Sequence, residues 1–247
     1  VEGQHLSPNG ARLWEPRGKL LHETIWYDQI FSFSRLFAVP DGRGGAILAF
    51  GDRKGTSDDV AAQRVDRDGA LLWGPGVEVA AGPKYQLLDS LTALPDGAAV
   101  VVQEVLPNSQ SRLRLYRLSR GGQLRRPILG TELSAPNRSQ ADFGSQGSFD
   151  GDRLRILWSS HVLGNPLHVE IRIAVFDLAG RRLTAPDAPP LVAWGADEAR
   201  YFGGFAFDAV RSQGVAAWND WHLFTTSTRT LEINAEGALF SGDGGAP

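Results

Sequence analysis

One segment of this sequence returns five times, and a tandem period of that size constrains a fold more tightly than any composition does. The segment is a strand-like run, a glycine turn and a second short run. Its clearest copy is Gln63–Ala80, QRVDRDGALLWGPGVEVA, and Gln4–Leu21, QHLSPNGARLWEPRGKLL, aligns with it. In both, a Gln is followed by Gly six residues on and by Trp ten residues on (Gln4, Gly10, Trp14; Gln63, Gly69, Trp73). Shorter copies are Tyr116–Leu124, Val175–Leu183 and Glu232–Leu239. The turn glycines Gly10, Gly69, Gly122, Gly180 and Gly237 stand 59, 53, 58 and 57 residues apart.

A second unit interleaves with the first: an apolar strand, an Asp-Gly turn, and another apolar strand ending in a large residue. Its copies are Leu36–Phe50, Leu91–Gln103, Gly147–Trp158 and Phe205–Trp218. Asp41-Gly42, Asp96-Gly97 and Asp150-Gly151 predict two-residue hairpin turns with both positions at positive φ. The fourth copy has Asp208-Ala209 and predicts a wider turn. Strand alternation is plain elsewhere: Leu113 and Leu115 alternate with Arg112 and Arg114, and Ile171, Ile173 and Val175 with Arg172 and Ala174.

Two hairpins per repeat make four antiparallel strands, here a, b, c and d, with the Asp-Gly unit as a–b and the Gln–Gly–Trp unit as c–d. Four such strands in tandem describe an all-β β-propeller, in which stacked blades bury the sheet faces that one blade leaves open. The c–d unit occurs five times and the a–b unit four. The expected organisation is therefore a single propeller domain or fragment: a half blade at 1–24, then blades at about 30–81, 87–135, 142–194 and 200–244. The sequence opens at Val1 inside a c–d unit, and with 0 Met it is expected to be a piece of a longer chain.

Composition removes several function classes. With 0 Cys there is no disulfide, thiolate-bound metal or cysteine nucleophile. A formal net charge of −3 offers no basic footprint for nucleic acid. No apolar run approaches the roughly 18 residues of a membrane-spanning helix, and Val1–Gly10 has no signal-like apolar stretch. The five His, at 5, 22, 161, 168 and 222, show no H-x-x-x-H spacing, and G-x-S-x-G is absent. Neither a cofactor, a metal site nor a catalytic set is expected.

In a propeller the b→c and d→a loops emerge on one face. The b→c starts carry Asp52, Arg53, Glu104, His161, Asp220, Trp221 and His222. The d→a connections carry Trp26, Tyr27, Asp28, Tyr85, Arg138, Arg200 and Tyr201. Aromatic rings stack on apolar sugar faces while carboxylates and Arg fix orientation, so these are the candidate ligand-binding residues. The blander reading of each ring is packing on a blade edge, and of each charge a solvated surface. The turn Asp and Gly residues are read as turn formers. Trp14 and Trp73 are read as packing between strands, and Phe50, Trp158 and Trp218 as core between blades.

The stretch Pro40–Trp73, with PDGRGGAILAFGDRK and then DVAAQRVDRDGALLWG, resembles the repeat of bacterial secreted or surface β-propeller proteins. Their blades look like DGxGGAIVAWxDxR followed by DIYAQRxDxxGxxLWGxxGxxV. The match covers about one blade, Phe37–Ala80, with partial support from Gln4–Trp14. The resemblance implies a secreted, cell-surface or periplasmic location and a recognition or scaffolding role. The expected function is a non-catalytic module that binds a glycan or protein ligand on the loop face. Its further partners are missing blades or neighbouring modules of the parent chain, with no nucleic acid and no membrane insertion. The alternatives are a glycan-active hydrolase or lyase with carboxylates on that face, and a purely structural arc.

Overall fold

In the computed structural model the described residues are 1–23, 35–54, 57–83, 85–108, 110–127, 129–134, 140–162, 169–193, 199–208, 213–222 and 225–234. For 53, 54, 57, 192, 193, 199–204, 218–222 and 225–231 the backbone alone is described. These residues are all-β, with no helix among them. A short pair, β1 (Glu2–Gly3) and β2 (Lys19–Leu20), is followed by β3 (Leu36–Pro40), β4 (Ala46–Lys54), β5 (Ser57–Val65) and β6 (Val77–Ala80). Then come β7 (Gln86–Leu94), β8 (Gly97–Val105), β9 (Ser111–Ser119) and β10 (Thr131–Glu132). β11 (Gln140–Phe149), β12 (Arg153–Val162), β13 (Val169–Asp177) and β14 (Val192–Ala193) follow, and β15 (Ala199–Asp208), β16 (Gln213–His222) and β17 (Thr225–Asn234) close the set.

The chain divides into two compact units, Val1–Val105 with Leu115–Thr131, and Leu106–Arg114 with Glu132–Pro247. In the first unit β3-β4-β5-β6 is an antiparallel meander in which each strand pairs with its sequence neighbour. β7 and β8 form the next hairpin. In the second unit β11-β12-β13-β14 and β15-β16-β17 are meanders of the same kind. A single parallel pair, Ser111 with Ala141, ties the start of β9 to β11.

Each unit stacks its sheets face to face. Ile47 and Ala49 of β4 join Val60, Ala62 and Val79 against Leu88, Leu91, Val100 and Val102 of β7 and β8. Leu48 and Phe50 point the other way, with Ala61 and Val65, against Leu21 and Trp14 of the N-terminal segment. Both faces of β4 are covered, which is why Ala46–Phe50 is apolar at every position rather than at alternate ones. Burying one side chain such as Ile47 contributes about 1.5–3 kcal/mol. In the second unit Leu157 and Ile171 of β12 and β13 meet Phe205 of β15, with Ala216 and Ile233. Phe50 and Trp158 are core, as the sequence suggests; the Trp218 side chain lies outside the described residues.

The glycine turn repeats almost to the degree. Gly10, Gly69, Gly122 and Gly180 have φ of 82°, 84°, 84° and 85°. In each, the glycine N–H donates to the carbonyl three residues back: Ser7, Asp66, Ser119 and Asp177. The side chain of that first residue accepts from the amide four residues on: Ser7 Oγ from Ala11, Asp66 Oδ1 from Ala70, Ser119 Oγ from Gln123 and Asp177 Oδ1 from Arg181. A type I turn closed by a left-handed glycine has this form, and only glycine occupies that conformation without strain. Gly237 lies outside the described residues.

The Asp-Gly turns differ from expectation. Asp41, Asp96 and Asp150 have no positive φ; among the described non-glycine residues only Asn108 does. Asp41 instead accepts from the amides of Arg43 and Gly45, and Asp150 from those of Asp152 and Arg153. Leu94 pairs with Gly97, so the two-residue turn there is Pro95-Asp96 and not Asp96-Gly97. Proline's fixed φ places it at the first central position, which shifts the register by one. Residues 209–212 of the fourth hairpin lie outside the described set.

Trp14 and Trp73 pack against hydrophobic clusters, and each also reaches beyond its own hairpin. Trp14 Nε1 donates to the carbonyl of Arg67 at 2.9 Å, and Trp73 Nε1 to that of Arg120 at 3.0 Å. The recurring glutamine holds the hairpin behind each ring. Gln63 Oε1 accepts from the amides of Arg64 and Trp73, and its Nε2 donates to the Gly74 carbonyl. Gln4 makes the same three bonds, to His5, Trp14 and Glu15.

Candidate functional site

Strand register gathers several sequence-selected residues at one end of each hairpin, opposite its a–b turn. Tyr85 precedes β7 and its carbonyl accepts from the Val105 amide, while Gln86 pairs with Glu104. Ala141 pairs with His161, Arg200 with Asp220, Ala199 with Trp221 and Tyr201 with Asn219. Arg53 pairs with Asp58 and Asp52 with Asp59 at the β4–β5 end, and His222 pairs with Thr225. Trp26, Tyr27, Asp28 and Arg138 lie outside the described residues, and only the backbones of Arg53, Arg200, Tyr201, Asp220, Trp221 and His222 are described.

The described side chains there fall into two kinds. Tyr85 is 53% exposed, a large ring left in water on the last rung of a rigid hairpin. Asp52 and Glu104 are buried. Asp52 Oδ1 lies 3.3 Å from Nε2 of His22, whose ring sits 4.4 Å from that of Phe50. His161 stands edge-on to Phe143, ring centres 4.6 Å apart, and its burial lowers its pKa below the usual histidine value.

The most enclosed acid was not selected from the sequence. Asp142, in β11, is fully buried. The Ser134 hydroxyl donates to its Oδ2, and Gln140 Nε2 does so at 2.7 Å. Burial raises its pKa above the usual carboxylate value, and hydrogen bonds from Ser134, Ser160, Gln140 and Trp158 only partly offset that. His22 and Asp89 were also missed. Asp89 is the extra residue of a β-bulge between Leu88 and Ser90, and its buried carboxylate accepts from Arg35 Nη1 at 2.9 Å. Similar irregularities fall between Phe143 and Gln146 and between Phe202 and Gly204. Bulges redirect a side chain without altering residue type, so only glycine-rich patches such as Phe202-Gly203-Gly204 hint at them. Among the described residues no group of three or more His, Asp or Glu side chains gathers to hold a metal.

The turn acids are engaged in the fold. Asp41 Oδ2 receives Arg64 Nη2 at 2.6 Å, and Asp150 Oδ2 receives Arg155 Nη1 at 2.5 Å. Burial pushes both carboxyls up, but amide and guanidinium hydrogen bonds outweigh it, and both titrate below the usual value.

No family model matches the chain, and no curated protein does. Among solved structures it is similar to puromycin hydrolase, with a TM-score of 0.55 and 15% identity over 96% of this chain and 34% of that one. A mutant of puromycin hydrolase complexed with PGG gives a TM-score of 0.51 and 17% identity over 85% of this chain and 31% of that one. The chain thus spans about a third of the hydrolase chains it matches, and the likeness is one of fold.

Proposed function

We propose that this chain is an arc of a β-propeller, four blades and an N-terminal half blade, serving as a non-catalytic binding or scaffolding module. What supports the propeller is the stacking of consecutive meanders within each unit, with a strand of one sheet lying across the face of the sheet before it. Such stacking leaves the sheet ends and their loops as the surface that varies. A match to one third of a larger hydrolase chain suits a module that works beside others. Residence outside the bacterial cytoplasm belongs to the same reading.

The observation that carries a binding role is Tyr85. It is an exposed ring, fixed by its backbone to the Val105 rung, beside the buried Glu104. A ring held in water on a stiff sheet end stacks on the apolar face of a sugar or on a protein side chain, and neighbouring charges set its orientation. A glycan array probed with residues 1–247 tests this. Tyr85→Ala is expected to weaken binding at least tenfold with an unchanged melting temperature. Absence of binding to glycans and to extracellular proteins sinks the reading and leaves the structural arc. Turnover of a glycan, lost in Asp52→Asn or Asp220→Asn with folding intact, replaces it with the hydrolase or lyase.

A further inference from the structure

The glycine turns of the first unit fit together in series. Each tryptophan reaches from its own hairpin to the second residue of the next glycine turn along the chain, Trp14 to Arg67 and Trp73 to Arg120. The same hairpin also covers the next turn glycine. The Lys19 side chain lies over Gly69, and Trp73 and Val77 lie over Gly122, so close that an added Cβ would stand 2.5 Å and 2.9 Å from them. Gly69 is buried and Gly122 half-buried.

The N-terminal turn has the same build and, among the described residues, no cover. Pro8 holds the place of Arg67 and Arg120, and Gly10 has the same φ. Nothing stands within 4 Å of where a Gly10 Cβ would be, and both residues are exposed. Leu6, Leu13 and Leu20 of this hairpin are 55%, 54% and 58% exposed. Leu6 carries the contrast, since its counterparts Val65 and Leu118 are buried at 2% and 1% where the joint is made. The rest of the described chain has no spare plug for it. Trp14 and Trp73 are engaged, and Arg126 and Thr184 stand where the third and fourth hairpins would carry a tryptophan.

We infer that the Pro8–Gly10 turn and its flanking leucines are a docking surface for one further repeat of this design. Its occupant is a c–d hairpin with the Gln–Trp pair, lying ahead of Val1 in a longer chain, whose indole N–H donates to the Pro8 carbonyl. The inference rests on the propeller-arc reading and continues a joint already made twice in the first unit.

The test joins a copy of residues 36–112 ahead of Val1 of the full chain, so that strand c runs on in register. Val1 holds the place of Leu113, as Leu6 holds that of Leu118. The extended chain is expected to melt higher than residues 1–247, and Trp→Phe in the added copy lowers it by a step as large as the one Trp73→Phe makes in the first unit. A single thiol at Leu6→Cys, in a chain with 0 Cys, is expected to react at least tenfold more slowly in the extended chain, because its counterparts Val65 and Leu118 are buried. No gain and unchanged labelling overturn the inference. Two measurements on residues 1–247 need no extension. Leu6→Arg and Leu20→Arg are expected to leave the melting temperature unchanged, and a marked loss means the surface is already covered. Sedimentation is expected to show a monomer, and a dimer abolished by Gly10→Arg overturns the stated occupant. Tyr85-dependent binding is untouched by any of these results, so the two readings fail separately.

Discussion

The first two glycine-turn hairpins and the later two, one in each unit, solve one backbone problem with different side chains. In the first unit, Gln4 with Trp14 and Gln63 with Trp73 tie each hairpin internally and link it to the next turn. At the corresponding places the later hairpins have Tyr116 with Arg126, and Ala174 with Thr184. Tyr116 fills the space over Gly130 with its ring, and Thr184 Oγ1 accepts from the Val175 amide at 3.2 Å. Arg182 Nη1 donates to the carbonyls of Glu132 and Leu133. The left-handed glycine is present in all four described turns. What recurs is what φ demands; what varies is how the remaining amides and carbonyls find partners.

The sharpest way to break this contrast is Trp73→Ala, which empties a buried site and removes one of the two donors, with Arg64 Nη1, to the Arg120 carbonyl. It is expected to cost about 3–5 kcal/mol in denaturant unfolding, whereas Trp73→Phe costs about 1 kcal/mol. Next comes Gln63→Ala, which leaves the Arg64 and Trp73 amides without their acceptor and should cost about 2–3 kcal/mol. Thr184→Val, in the second unit, loses the bond from the Val175 amide and a long one from Arg182 Nε, and should cost about 1 kcal/mol. Equal effects would mean the two hairpins are held alike. Gly122→Ala should cost about 2 kcal/mol, since the new methyl meets the Trp73 ring, against about 1 kcal/mol for Gly10→Ala, where only φ is strained.

The smallest effect is a sign difference with pH. Asp142, in the second unit, has a raised pKa, so the folded state holds its proton longer than the unfolded chain. Its contribution is full below the ordinary carboxylate range and is lost as pH rises through the raised value. Asp41, in the first unit, has a lowered pKa and contributes above that range, with loss as pH falls through the lowered value. Denaturant midpoints from about pH 3 to about pH 8 should therefore flatten on the rising limb in Asp142→Asn and on the acid limb in Asp41→Asn. The same limb flattening in both variants would refute the assignment.

The sequence discloses these features unequally, for physical reasons. The glycine turns are legible because positive φ admits almost no other residue, so the period survives where everything around it changes. The fully apolar Ala46–Phe50 announces two covered faces. The Asp-Gly register was misread because Pro95 competes for the first turn position. The recurrence of Gln and Trp was visible, but not its purpose, since the acceptor of Trp73 is 47 residues away. At the candidate site Tyr85, Glu104 and His161 were reachable by counting strands to their ends. Asp142, His22 and Asp89 were not, because a bulge or a distant partner gives an ordinary polar residue its meaning.

The pairing of strands within each meander with their immediate neighbours has a kinetic consequence. Meander contacts are short in sequence, so a hairpin can close before the rest of the chain arrives, with little loop entropy to overcome. Sheets can then be added one upon another, each finding a finished face to settle on.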